Sequence, residues 1–149
     1  KTLMETANNQ VIMQFPSKAA NIGFARTAVA LFAAQLDFTL DELDEIKIAV
    51  SEAVSNAVIH GYKGTEGLVT VTCTLIEGLL EIHIKDEGIG IADVAKAFEP
   101  AFTTEPDERM GLGLVFVKEY MDELVIDSSL GKGTSLTMRK SPWQTKVGA

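Results

Sequence analysis

The 149-residue chain has a single cysteine, Cys73, so no internal disulfide can form, and that thiol count fits a reducing cytoplasm. No apolar run reaches the roughly 20 residues needed to span a bilayer. The first residues, KTLMETANNQ, are polar and lack the apolar stretch of a secretory signal. Positive charge is scarce: 13 Lys and Arg stand against 21 Asp and Glu, a formal net charge of −8. Phosphate backbones repel such a chain, which argues against direct nucleic-acid binding and for a protein partner with a basic surface. Two familiar nucleotide motifs are missing. In GKGTS no Ser or Thr follows Lys132, and no upstream glycine completes a P-loop; after Gly111 and Gly113, Phe116 stands where a dinucleotide fingerprint needs its third glycine. No Cys/His spacing suggests zinc, and no Ser-His-Asp set is evident. What remains is 46% hydrophobic, enough for one domain with a real core, and it has neither repeats nor low-complexity linkers.

The hydrophobic pattern predicts the elements. VIMQF (11–15) reads as a strand ended by Pro16, with Ser17 as N-cap of a helix running to about Leu36. That helix carries two apolar stripes. One is Phe24, Ala28, Leu31 and Phe32; the other is Ile22, Ala25, Val29, Ala33 and Leu36. Either it is buried on most of its circumference, or one face meets another chain, and Arg26 would lie near that interface. TLDE (39–42) is a capping box opening a helix from about Leu40 to Ile59, with Ile46, Ala49, Val50, Ala53, Val54 and Ala57 as its core stripe. Glu52, Asn56 and His60 recur every four residues beside that stripe and share a face. LVTVTCTLI (68–76) and LLEIHIK (79–85) alternate like half-buried strands joined by a turn at Glu77-Gly78. His83 falls on the polar face of its strand, as a surface residue rather than a ligand. A short helix over 92–97, a long irregular loop over 98–113, a helix over 114–123 and a closing hairpin of LVID and TSLTMRK follow. The tail from Ser141 reads as frayed. The order predicts an α/β two-layer sandwich: helices on one face of a mixed, largely antiparallel sheet.

Four clusters carry chemistry. Asn56 on a helix offers an amide oxygen of the kind that ligates Mg²⁺ beside phosphates, and Glu52 one turn earlier is placed to accept a hydroxyl proton. Asp86 ends a strand and can accept a hydrogen bond from an amine such as that of adenine, while Gly88 and Gly90 let a ring approach the backbone. Gly111 and Gly113 stand at a loop–helix junction, where free N–H groups suit phosphate. Gly131-Lys-Gly-Thr134 lies in the last hairpin. Each alone has a commoner explanation: a solvated amide, a surface charge, a simple turn, a loop–helix junction.

Together and in this order, E-x-x-x-N, D-x-G-x-G, G-x-G and G-T, the clusters resemble the GHKL ATPase superfamily with its Bergerat-type ATP-binding fold. SEAVSNAVIHGY, DEGIGI, FTT and ERMGLG are similar to the serine-kinase anti-sigma factors of Gram-positive bacteria, and QLDFTLDELDEIKIAVSEAVSNAVIHGY and MDELVIDSSLGKGT to their sporulation branch. The likeness runs over about residues 10–140. It implies an ATP-dependent protein serine kinase that inhibits a sporulation sigma factor of the sigma F type. It would phosphorylate a serine of an anti-anti-sigma factor and work as a cytoplasmic homodimer, with no membrane. The resemblance further implies Mg²⁺ on Asn56 and adenine on Asp86 with Thr134 nearby. A lid over 98–112 would carry Thr103, Thr104 and Arg109, the last reaching the γ-phosphate; Gly111 and Gly113 would contact phosphate, and Glu52 would serve as base. His60 and Tyr62 follow the family's N-A-x-x-H-G-Y pattern, either supporting the phosphate end or, for His60, simply closing the helix.

One departure is visible: where the family lid commonly has a lysine, Glu105 stands, and the stretch before GLG is one residue shorter. A reversed charge beside a triphosphate weakens ATP binding or alters the lid. Three alternatives stay open: a general-stress anti-sigma kinase, a detached histidine-kinase ATPase domain, and a binding-only module. Against the second, Ile59 stands where such domains often carry lysine, and no helix pair with a phospho-accepting histidine is visible.

Overall fold

A computed structural model describes residues 8–62, 65–91 and 110–147, with the side chains of His60, Met110, Leu112 and Val147 left aside. Strand β1 (Asn9–Pro16) is followed by helices α1 (Ala20–Ala33) and α2 (Leu40–Ser55). Helix α2 passes directly into a π-helical turn, Asn56–Gly61. Strands β2 (Leu68–Ile76) and β3 (Leu79–Asp86), helix α3 (Met110–Tyr120), strands β4 (Glu123–Ser128) and β5 (Thr134–Lys140) and the short helix α4 (Trp143–Val147) complete the order.

The five strands form one sheet in the order β1-β2-β3-β5-β4. Each of the four pairings is antiparallel, so the sheet is more uniform than a mixed one. The β2–β3 turn has positive φ at both Glu77 (50°) and Gly78 (83°), the tight hairpin geometry whose twist matches the strands. Pro16 sits at the end of β1, an edge strand, where its missing N–H breaks no inner ladder.

Alternation assigns the faces. Val69, Val71, Cys73, Ile82, Ile84, Leu136 and Met138 are buried under the helices, while Thr70, Thr72, His83 and Lys85 face the other way and stay half-buried or exposed. The helices supply Ala25, Val29 and Ala33 from α1, Ile46, Ala49, Val50, Ala53 and Val54 from α2, and Leu114 and Val117 from α3. Each fully buried Ile or Leu adds about 2–3 kcal/mol of transfer free energy, so this layer dominates stability. Burial pushes the Cys73 thiol up to about 12, which makes it a core residue and not a nucleophile.

Several expectations are corrected. Helix α1 is shorter than 17–36, and Ser17 does not cap it; its hydroxyl accepts the Gly67 N–H (2.9 Å) instead. Nor is α1 covered all round: Phe24 and Leu31 are 63% and 76% exposed, and only Phe32 of their stripe is buried. The capping box of α2 is present, Thr39 Oγ1 accepting the Glu42 N–H and Glu42 Oε1 the Thr39 N–H. Helix α3 begins at Met110, so Gly111 and Gly113 lie inside its first turn rather than before it. Within the described part of the tail, to residue 147, the chain is helical and anchored rather than frayed: the Trp143 N–H donates to Glu42 Oε2 (3.0 Å) and Lys146 pairs with Asp122 (2.7 Å). The helix expected over 92–97 and the loop to residue 109 lie outside the described residues.

Candidate nucleotide-binding site

The site is built where α2 and its π-helical extension cross the ends of β3 and β5. Asp86, the last residue of β3, is 6% exposed. Its Oδ1 accepts the Gly88 N–H (2.9 Å). Desolvation raises the carboxyl above its ordinary 3.8, while backbone hydrogen bonds from Gly88 and Thr134 oppose the shift. A buried carboxylate at the end of a strand is costly, and a ligand amine is the kind of partner that offsets the cost.

Close backbone approaches surround it. A Cβ on Gly61 would stand 2.9 Å from Asp86 Oδ1, one on Gly88 1.8 Å from the Gly61 carbonyl oxygen, and one on Gly133 2.2 Å from the Asp86 carbonyl oxygen. Gly90 adopts φ +76°, and a Cβ there would meet the Ser129 carbonyl oxygen at 2.0 Å. The glycines of D-x-G-x-G are therefore required by packing between three backbone segments. The Ile89 N–H donates to Gly61 O and the Gly131 N–H to Ile89 O, both at 2.8 Å, stitching helix end, loop and β4–β5 turn together. Thr134 Oγ1 lies 2.8 Å from Ser128 Oγ. A cavity of about 210 Å³ touches Asp86, Ser128 and Thr134 but is also bordered by Lys85, Asp127 and Ser135, so it opens toward the helix-free side of the sheet and not under α2.

The other end of the site is Glu52, half-buried on α2. A Cβ on Gly113 would lie 2.7 Å from Glu52 Oε2, so the carboxylate rests against the first turn of α3. A helix N-terminal turn is the kind of backbone that suits an anion. Asn56 keeps α-helical torsions (φ −58°, ψ −44°), and its N–H reaches the Glu52 carbonyl, so the two side chains share a face. From Asn56 onward the chain is π-helical, so the four-residue spacing does not continue past it. Glu52 and Gly61, which packs against Asp86, lie at two ends of one continuous helical run, so the two carboxylates stand at opposite ends of it.

Of the residues singled out in the sequence, Asp86, Gly88, Gly90 and Thr134 meet at one end, and Glu52 and Gly113 meet at the other with Asn56 on the same helix. Gly111 lies in the same turn as Gly113. The side chain of His60, and Thr103, Thr104, Glu105 and Arg109, lie outside the described residues. Arg26 belongs to another surface, exposed on α1. Sequence reasoning missed Ser128, whose hydroxyl accepts the Ile91 N–H (2.7 Å) and donates to Gly133 O (2.9 Å). Its partner at Ile91 is 37 residues away, beyond any local pattern.

Residues 15–140 match the histidine kinase-like ATPase domain. The fold agrees with two solved structures. One is the RsbU and RsbW domains of a Mycobacterium tuberculosis protein, with a TM-score of 0.65 and 20% identity, covering 90% of this chain and 32% of that one. The other is the mycobacterial sensor histidine kinase MprB, with a TM-score of 0.57 and 22% identity, covering 88% and 97%. Nearer in sequence are anti-sigma F factors. That of Clostridium acetobutylicum is 46% identical over 133 residues, covering 89% of this chain and 93% of the relative. That of Priestia megaterium is 48% identical over 142 residues, covering 93% and 97%. The chain belongs to the anti-sigma F factor family of histidine kinase-like ATPase domains.

Proposed function

We propose that this chain is an anti-sigma factor that restrains a sporulation sigma factor and uses ATP and Mg²⁺ to phosphorylate a serine of an anti-anti-sigma protein. Membership of the anti-sigma F factor family supports the first half. The observation that carries the second is the buried Asp86 carboxylate, set among glycines whose missing side chains let three backbone segments close around it.

The donor set fits a magnesium nucleotide. Asn56 supplies a hard oxygen, and among the described residues no cluster of three or more His, Cys, Asp or Glu is gathered for a resident metal. That suits an ion held mainly by phosphates and water, with one protein ligand. Bound ATP with its ion supplies the phosphoryl group and neutralises part of its charge. Asp86 accepts a hydrogen bond from the exocyclic amine of adenine, with Thr134 beside it; Gly88 and Gly90 shape the base pocket. The N-terminal turn of α3, with Gly111 and Gly113, donates N–H groups to phosphate. Glu52 takes the proton of the incoming serine hydroxyl as its oxygen bonds to phosphorus and ADP departs. We assign Thr103, Thr104 and Arg109 to a lid over the phosphates, and leave His60 at the phosphate end. The exposed stripe of Phe24 and Leu31, with Arg26, is assigned to the homodimer and to the sigma factor. The cytoplasm is the compartment that the lone, buried thiol favours.

Calorimetric titration with MgATP tests the base-end assignment. Asp86→Asn should weaken binding about 30-fold, the loss expected when a charged hydrogen-bond acceptor is removed. Unchanged affinity would remove Asp86 from the site.

A further inference from the structure

We infer that Tyr62 is a positioning residue for the base end of this site, and not part of its phosphate end as the N-A-x-x-H-G-Y pattern suggested; the inference rests on the nucleotide-site reading above. Its hydroxyl stands between two backbones. It accepts the N–H of Glu87, the residue after Asp86, at 2.6 Å, and donates to the carbonyl of Leu68, the first residue of β2, at 2.8 Å. The π-helical turn delivers it there: the Tyr62 N–H closes on Ala57 O (3.3 Å), five residues back. The ring lies so close over Gly67 that a Cβ there would stand 2.1 Å from Tyr62 Cε1. Gly67 is itself pinned from the far side, its N–H donating to Ser17 Oγ (2.9 Å) and its carbonyl accepting the Ser17 N–H (2.8 Å).

One hydroxyl therefore ties the end of the Asn56-bearing helix to the start of β2 and to the loop that leaves Asp86. Two further contacts act on the same loop from the same helix end: Ile89 N–H to Gly61 O at 2.8 Å, and the packing of Gly88 against Gly61. Tyr62 is the only side chain in this set. Without its hydroxyl, the Glu87 N–H and Leu68 carbonyl lose their shared partner, and the loop that fixes Asp86 must be ordered by the ligand at binding.

Tyr62→Phe keeps the ring and deletes only the hydroxyl. The test is calorimetric affinity for MgATP and for ADP, on wild type, Tyr62→Phe and Thr39→Ala. The last removes a helix cap remote from the site and controls for general destabilisation. The expected result is a weakening of about tenfold for both nucleotides, by the same factor, with Thr39→Ala binding like wild type. A loss confined to ATP would place Tyr62 at the phosphate end and overturn the inference. So would unchanged binding by Tyr62→Phe, or an equal loss in Thr39→Ala. Wild type that binds neither nucleotide would overturn the site reading itself, and the inference with it. A second measurement needs no nucleotide: the Glu87 amide should exchange with solvent at least tenfold faster in Tyr62→Phe than in wild type, and equal rates count against the brace.

Discussion

Burial at the end of β3 makes Asp86 a group whose ionised form the empty protein tolerates rather than prefers. Its carboxyl is held above the ordinary 3.8, chiefly by desolvation. The native state therefore binds that proton more tightly than the unfolded chain does. The stability this contributes is present below the unfolded value and is lost as pH rises through the raised one, so at neutral pH the charged group costs the ligand-free fold. Asp86→Asn should accordingly be no less stable than wild type at pH 7 by thermal melting without nucleotide. Any advantage should shrink as pH falls into the carboxylate range. A variant clearly less stable at neutral pH would show that the carboxylate serves the fold rather than a ligand.

Between elements, the decisive contact is α2 against the first turn of α3. Gly113 is helical, and alanine there would gain about 1 kcal/mol of helix propensity. The same methyl would come within 2.7 Å of Glu52 Oε2, the far end of a movable side chain. Gly113→Ala should thus melt at or above the wild-type temperature while phosphotransfer falls at least tenfold through a displaced Glu52. Wild-type turnover would separate Glu52 from the chemistry. The core stripe of α2, its capping box and the alternating strands were legible because each is a local periodicity or a cap within four residues. Two features were not. The shift to π-helix at Asn56 depends on Gly61 and Tyr62 docking against strand ends, a tertiary contact that no helical pattern encodes. The start of α3 was placed late because paired glycines read as loop, whereas here Gly113 owes its small size to the neighbouring Glu52.

For the whole molecule, a two-layer sandwich leaves one stripe of α1 uncovered, and Phe24 and Leu31 on it are mostly exposed. Both stripes of α1 are visible in the sequence, but a periodicity cannot tell cover within one chain from cover by a second. Sedimentation velocity decides it: Leu31→Asp should convert a dimer to monomer with the fold intact, and a wild-type monomer at micromolar concentration would move the pairing surface elsewhere. The most direct test of the central claim is transfer of radiolabelled phosphate from ATP and Mg²⁺ to candidate anti-anti-sigma proteins, by wild type and by Glu52→Gln. The account predicts an acid-stable, base-labile label from wild type. Glu52→Gln should give almost none while still binding nucleotide. An acid-labile label, or full transfer by Glu52→Gln, would contradict it.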